Sequence, residues 1–372
     1  MAEIPRTSRA AVLREFGQPI TIEEFAVPDL DAGALLMRVD SATVCGTDVH
    51  IQHGRLPAAR LPLVLGHEST GTIVAANGRS HDSNDNLLHP GDRIVFVYPW
   101  CGTCYWCSIA RQPTLCQNAR MYGWGPSDVH PYLTGTFADF VYVQPQCRVL
   151  KVPDDLDPSV VASTTCALRT VMHAFERLGA LGPILPSDTV AILGSGAVGL
   201  YATAVALSSG ARSVLLFGAP TSRLEIGRRW GASVVADVTA TSPGEREAMV
   251  LEATNGRGAD VTIDCAGPVS AFQEALNLTR RGGRVLEIGV GNLSEVPVHP
   301  YFFNIKMISV IGSLSGAAPH FYQALQFVDR HRADFDFAAL TVGSFDLLEV
   351  NAALEAVASQ DLIKPQITTT AG

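Results

Sequence analysis

TVAILGSGAVGL, residues 189–200, decides the fold of this chain. An apolar stretch runs directly into Gly194, Gly196 and Gly199, in the pattern G-x-G-x-x-G, and a helical stretch of small apolar residues follows. Gly194 permits a tight turn, Gly196 lets a pyrophosphate approach the backbone, and Gly199 allows close packing of helix on strand. The phosphates then sit at the helix N-terminus, where unpaired N–H groups point outward, with Ser195, Ala197 and Val198 completing the cradle. A glycine-rich turn without a ligand is the alternative. The context decides, because the motif sits where an apolar strand gives way to a helix.

Outward from that turn, apolar strands alternate with helical stretches: a helix through about 209, SVLLFG (213–218), a helix near 222–230, VTIDCAG (261–267) and RVLEIG (284–289). This alternation reads as βαβ units stacked into a doubly wound parallel sheet with helices on both faces, an α/β Rossmann-type domain. Upstream the texture differs. ALLMRVDSATV (34–44), STGTIVAA (69–76) and DRIVFVYP (92–99) are short β segments broken by Gly and Pro, which fits a mostly β, barrel-like domain. Near 310–320 the βα rhythm ends. The tail carries one or two helices and a closing apolar strand, LIKPQITT (362–369), read as returning to the first domain.

A chain of 372 residues is long enough for two hydrophobic cores. Its net charge of −9 repels phosphate backbones, and no basic stripe offsets that, so nucleic acid and anionic membrane surfaces are excluded as partners. No apolar run reaches the roughly 20 residues that span a bilayer, and MAEIPRTSRA lacks the apolar centre of a signal peptide. A cytoplasmic location is expected. Eight cysteines in a reducing compartment then point to metal rather than to disulfides.

In CGTCYWCSIARQPTLC, Cys101, Cys104 and Cys107 are each separated by two residues and Cys116 follows after eight more. Four thiolates in so short a span close a tetrahedral shell around Zn²⁺, a structural site that pins a loop. A second constellation is scattered over VCGTDVH (44–50), LGHESTG (65–71) and STTCALRT (163–170). Cys45, His67 and Cys166 would supply a Cys₂His set that leaves a fourth position open, as a catalytic zinc requires. Taken singly, Cys166 and Cys265 also read as small buried residues.

An NAD site normally offers Asp or Glu about 20 residues after the glycine turn, to hold the ribose hydroxyls. Here Gly218 stands in FGAPTSR. A missing carboxylate admits a 2′-phosphate, and Arg223 or Arg212 would supply positive charge, which slightly favours NADP. NAD and NADP both stay open.

Taken together, VCGTDVH, GHESTG, the four-cysteine run, Cys166 and GSGAVG resemble the zinc-containing medium-chain alcohol dehydrogenase family in order and spacing, over nearly the whole chain. The resemblance implies a GroES-like, mostly β catalytic domain over 1–165 and 313–372, and a Rossmann dinucleotide-binding domain over 166–312. It implies one catalytic and one structural zinc, NAD or NADP, a small alcohol or carbonyl substrate, and a homodimer or homotetramer. Cys45, His67 and Cys166 become the catalytic zinc ligands, with Glu68 beside or intermittently on the metal and Asp48 orienting His67. Thr47 resembles the hydroxyl that hydrogen-bonds the substrate alcohol, and His50 the surface end of a proton relay. Ile288, Gly289 and Val290 resemble the strand end that flanks the nicotinamide.

Two features depart from the pattern: the gap before Cys116 is one residue longer than usual, and Gly218 replaces the acidic residue. Trp100, Trp106 and Trp124, with MYGWGPSDVHPYLTG, offer an apolar wall or pack only on the cysteine loop. CYWC, QPTLC and GW also resemble dehydrogenases of bicyclic monoterpene alcohols, which points to bulky secondary alcohols. A zinc-free reductase of the same superfamily would lack the Cys45, His67 and Cys166 set, and a non-catalytic dinucleotide-binding protein would not need Thr47, Asp48, His50 and Glu68 around it.

Overall fold

The computed structural model describes residues 4–289 and 295–369. The chain forms two compact units, one made of Met1–Cys166, Ala317–Arg330 and Phe337–Gly372, the other of Ala167–Gly316 and His331–Asp336.

The second unit is built on the glycine turn. Among the described residues its sheet has six strands in the order Val234–Asp237, Ser213–Gly218, Thr189–Leu193, Ala259–Asp264, Thr279–Glu287 and Ser309–Gly312, every neighbouring pair parallel. Thr189–Leu193 lies between strands that come after it on either side, so the order reverses there. That is the point where open parallel sheets take ligands at the carboxyl ends of their strands. Val190, Ala191 and Ile192 are fully buried, which is why the strand reads as a continuous apolar run rather than an alternating one. The helices Ala197–Ser208 and Thr221–Trp230 pack on Ser213–Gly218, and Val269–Leu278 packs on Ala259–Asp264. Thr221–Trp230 ends on Gly231 in the left-handed conformation that glycine adopts without strain.

In the first unit the hub is the strand Leu35–Thr43. It pairs antiparallel with Ser69–Ala76, Phe140–Val143 and the tail strand Gln366–Thr368. A smaller sheet of Thr21–Ala26, Thr7–Leu13 and Leu63–Val64 lies in the same unit. The tail therefore joins the β-rich part of the chain, in the register Gln366↔Thr43 and Ile367↔Ala42. Its helix Val350–Ala358 adds Val350, Ala353 and Leu354 to a core shared with Leu35, Met37, Ile94 and Phe137. Asn351 fastens it further, accepting from Ile20 N at 2.8 Å and donating to Ile20 O at 2.9 Å. The closing strand is shorter than LIKPQITT suggests: Pro365 has no N–H to pair, and Lys364 turns its side chain inward. No described helix is long and apolar enough to cross a membrane.

One pair at the carboxyl edge of the parallel sheet is electrostatically unusual. Asp264 and Glu287 end neighbouring strands in register, and their side chains meet. Burial pushes Asp264 up to about 6, and burial together with the Asp264 charge pushes Glu287 up to about 8. One shared proton relieves the repulsion between the buried Asp264 and the half-buried Glu287. Since folding raises both values, the stabilisation from the protonated pair is complete below the ordinary carboxylate range and is lost as pH climbs through the raised value. Substitution E287Q should therefore raise Tm relative to the parent at pH 8 and above, with little effect near pH 5, in a differential scanning calorimetry series. A Tm difference that does not change with pH would remove the shared proton from the account.

Candidate active site and metal centres

Cys45 follows the hub strand and caps the helix Gly46–Gln52. Asp48, in the first turn of that helix, is fully buried. Its Oδ2 accepts from Cys45 N at 2.9 Å, and its Oδ1 lies 3.0 Å from His67 Nδ1. One carboxylate thus holds a cysteine backbone and an imidazole at once. It places the ring proton on Nδ1 and leaves Nε2 as the free lone pair. Nε2 is buried and has no hydrogen-bond partner.

Cys166 reaches the same place from a π-helical turn, Thr164–Leu168, set between the helical segments Pro158–Ser163 and Arg169–Gly179. Such turns project a side chain that a regular helix would aim elsewhere. One ligand atom each from Cys45, His67, Glu68 and Cys166 lie within 4.8 Å of one another. A hydrogen bond from Cys45 pulls the Cys166 thiol well below its ordinary value, towards the thiolate that binds metal. Two thiols and an oriented imidazole with an orphaned nitrogen fit Zn²⁺ with an open fourth position.

Glu68 has partners that the sequence did not announce. It is fully buried, Lys364 Nζ donates to both its carboxylate oxygens, and Thr43 Oγ1 donates to Oε2 at 2.5 Å. Burial pushes the Glu68 carboxyl up while the Lys364 ammonium pulls it down. Its Oε1 lies 3.7 Å from His67 Nε2, so Glu68 stands beside the ligand set with its charge balanced from the far end of the chain. The one sequence signal for this was a lysine interrupting an apolar closing strand.

Thr47 Oγ1 lies 3.7 Å from Cys45 Sγ, at the edge of the ligand set. His50 is on the next turn of the same helix, and burial and Arg55 hold its imidazole below the ordinary value, which favours the neutral form that accepts a proton. His53 closes the helix, its Nδ1 on Val49 O at 2.8 Å. Trp100 and Trp124 pack on the core of the first unit with Leu56, Leu61 and Met121, whereas Trp106 packs edge-on against Tyr105 within the cysteine loop. The aromatic stretch thus divides between two places.

The sulfurs of Cys101, Cys104, Cys107 and Cys116 also lie within 4.8 Å of one another. Zn–S bonds of about 2.3 Å in a tetrahedron separate sulfurs by about 3.8 Å. Cys104 to Cys116 is 3.9 Å and Cys101 to Cys107 is 4.0 Å, so the loop is shaped for that ion despite its extra residue. Backbone N–H groups of Thr103 and Cys104 help to lower Cys101 to about 5.

In the second unit the glycine turn has the expected form. Gly194 has φ +103°, Gly196 caps the helix Ala197–Ser208, and a Cβ on Gly199 would stand 1.8 Å from Gly194 O. No side chain fits at Gly199. Ser195 Oγ donates to Ala219 O at 3.0 Å, and Ala197 and Val198 open the helix. Arg223 lies in the first turn of Thr221–Trp230, after Gly218. Arg212 is excluded from any role beside Gly218: it precedes the opposite end of that strand and donates to Ala253 O. The N–H groups of Ile288 and Gly289 donate to Asp264 O at 2.9 and 3.0 Å. Val290 lies outside the described residues.

Known proteins share this architecture. The alcohol dehydrogenase GroES-like domain family matches residues 31–154, and the zinc-binding dehydrogenase family matches residues 197–330. The chain is 32% identical to 5-exo-hydroxycamphor dehydrogenase of Pseudomonas putida over 98% of its own length and 99% of that protein. A crystal structure of an alcohol dehydrogenase from Thermotoga maritima superposes with a TM-score of 0.92 at 33% identity, covering 98% of this chain and 99% of that one. A putative zinc-binding dehydrogenase from Sinorhizobium meliloti, bound to NADP, gives a TM-score of 0.81 at 26% identity over 97% and 99% of the two chains. The chain belongs to the zinc-containing medium-chain alcohol dehydrogenase family and is an oxidoreductase.

Proposed function

We propose that this enzyme interconverts a bulky or cyclic secondary alcohol and its ketone, with zinc at Cys45, His67 and Cys166 and a dinucleotide on the turn Gly194–Gly199. The observation that carries the reading is the Asp48 carboxylate, which holds Cys45 and His67 together and leaves His67 Nε2 without a partner. Zinc held there supplies Lewis acidity that eases loss of the alcohol proton, and the nicotinamide supplies the hydride acceptor. Thr47 positions the substrate hydroxyl and takes up its proton, and His50 passes that proton to solvent. Glu68, neutralised by Lys364, keeps a carboxylate next to the ligands without adding net charge there. Cys101, Cys104, Cys107 and Cys116 hold a second zinc whose role is to stabilise their loop.

Substrate bulk is supported by the half-buried Trp100 and Trp124 beside Leu56, Leu61 and Met121, and by similarity to an enzyme named for a bicyclic alcohol. The working form is a homodimer or homotetramer. Its support is the outer strand Ser309–Gly312, which leaves one sheet edge unpaired among the described residues, with Val310 and nearby Met307 exposed.

Elemental analysis should find two zinc ions per chain. C166A should lower this to one and cut turnover of a secondary alcohol at least a hundredfold, whereas C104A should lose the other ion and depress Tm by roughly 5–10 °C. Undiminished turnover in C166A would defeat the ligand assignment. D48N should weaken zinc affinity or kcat by about 10- to 100-fold, as loss of a ligand-orienting partner does; full activity at full metal content would show that His67 needs no such support. Light scattering of the holoenzyme should give at least twice the chain mass of 39.6 kDa, and a monomer would overturn the oligomer.

A further inference from the structure

The carboxyl ends of the strands beside the glycine turn bear on which dinucleotide is used. Position 218 cannot carry the acidic residue that usually selects NAD. A Cβ there would lie 2.4 Å from Ser195 Oγ and 2.6 Å from Ser195 N, so the turn itself fills the space. The neighbouring strand ends at the same level on a carboxylate: Gly218 and Asp237 are register partners, and Val238 N donates to Gly218 O at 3.0 Å.

Asp237 is fixed as an anion by donors alone. Its Oδ1 accepts from Thr239 N at 2.9 Å and Thr239 Oγ1 at 2.6 Å, and its Oδ2 accepts from Thr221 Oγ1 at 2.7 Å. Hydrogen bonds from Thr239 and Thr221 hold the carboxyl below its ordinary value. The backbone N–H of Thr221 adds to these donors, so the charge is held in place at the strand end. Thr221 opens the helix that also carries Arg223, so the anion and the cation lie on one short stretch after Gly218.

We propose that Asp237, standing on the adjacent strand, discriminates between the coenzymes in place of residue 218, and that the enzyme uses NAD rather than NADP. A 2′-phosphate meets a fixed negative charge there, whereas a neutral ribose 2′-hydroxyl is not repelled. The assignment rests on the dinucleotide site of the proposed function and narrows its ligand.

The test is fluorescence titration of the zinc-loaded enzyme with NADH and with NADPH at low and high ionic strength, for the parent, D237N and D237E. The parent should bind NADH about tenfold more tightly or better, the size expected for charges several ångströms apart in a largely aqueous setting. D237N should narrow that ratio by about tenfold, D237E should preserve it, and added salt should shrink it in the parent, because exposed charges are screened. Parent enzyme that binds NADPH as tightly as NADH overturns the proposal, and so does a ratio unmoved by both D237N and salt. Binding of neither nucleotide is a different result: it overturns the dinucleotide site itself.

Discussion

The Asp48 carboxylate is the constraint on which the reactive end of this protein depends. It lies out of water, and a buried anion persists only when its lone pairs are used. Cys45 N–H and His67 Nδ1 use them, and each is a group of a residue proposed to ligate zinc. The cost of burying the charge is thereby turned into geometry. If either partner moved, an uncompensated anion would be left in the core, so the fold itself sets the positions of Cys45 and His67. The seven-residue helix Gly46–Gln52 exists to present this arrangement: Cys45 caps it, Asp48 lies in its first turn, and Thr47 and His50 come with it.

The same logic extends outward through Glu68. A carboxylate adjacent to the two thiols and the imidazole proposed to hold zinc would repel the negative charge that zinc binding requires of the cysteines. Lys364 removes that difficulty, and it does so from the tail, held in place by the pairing of Gln366–Thr368 on the hub strand and by Pro365 O accepting from Val44 N. The C-terminal segment is therefore part of the site. The strand that completes the sheet also delivers the counter-charge.

In the second unit crowding takes the place of charge as the organising principle. Gly199 lies against Gly194 O, and Gly218 against Ser195, so strand ends and helix start are packed at backbone distance. In the proposed function, this closeness opens the N–H groups of the helix start to a phosphate. It also forbids a side chain at 218, so packing by itself accounts for the absence of an acidic residue there. The anion appears one strand over.

Much of this was legible in the sequence because it follows from local pattern. The parallel sheet was visible in continuous apolar runs alternating with helices, since strands buried on both faces leave no polar alternation. The glycine turn was visible because steric limits on backbone approach act over six residues, and the four-cysteine loop because its ligands lie within one short segment. Cys45, His67 and Cys166 became a set only through resemblance, for no local rule links residues 121 positions apart. Tertiary structure alone decided the rest: that Lys364 neutralises Glu68 across 296 positions, that a π-helical turn aims Cys166, that Asp264 and Glu287 face each other, and that Asp237 stands beside Gly218. Periodicity records which face of an element is buried, whereas the three juxtapositions depend on which strands become neighbours, and that is settled only when the strands pair; the π-helical turn is a departure from regular helix that periodicity does not record.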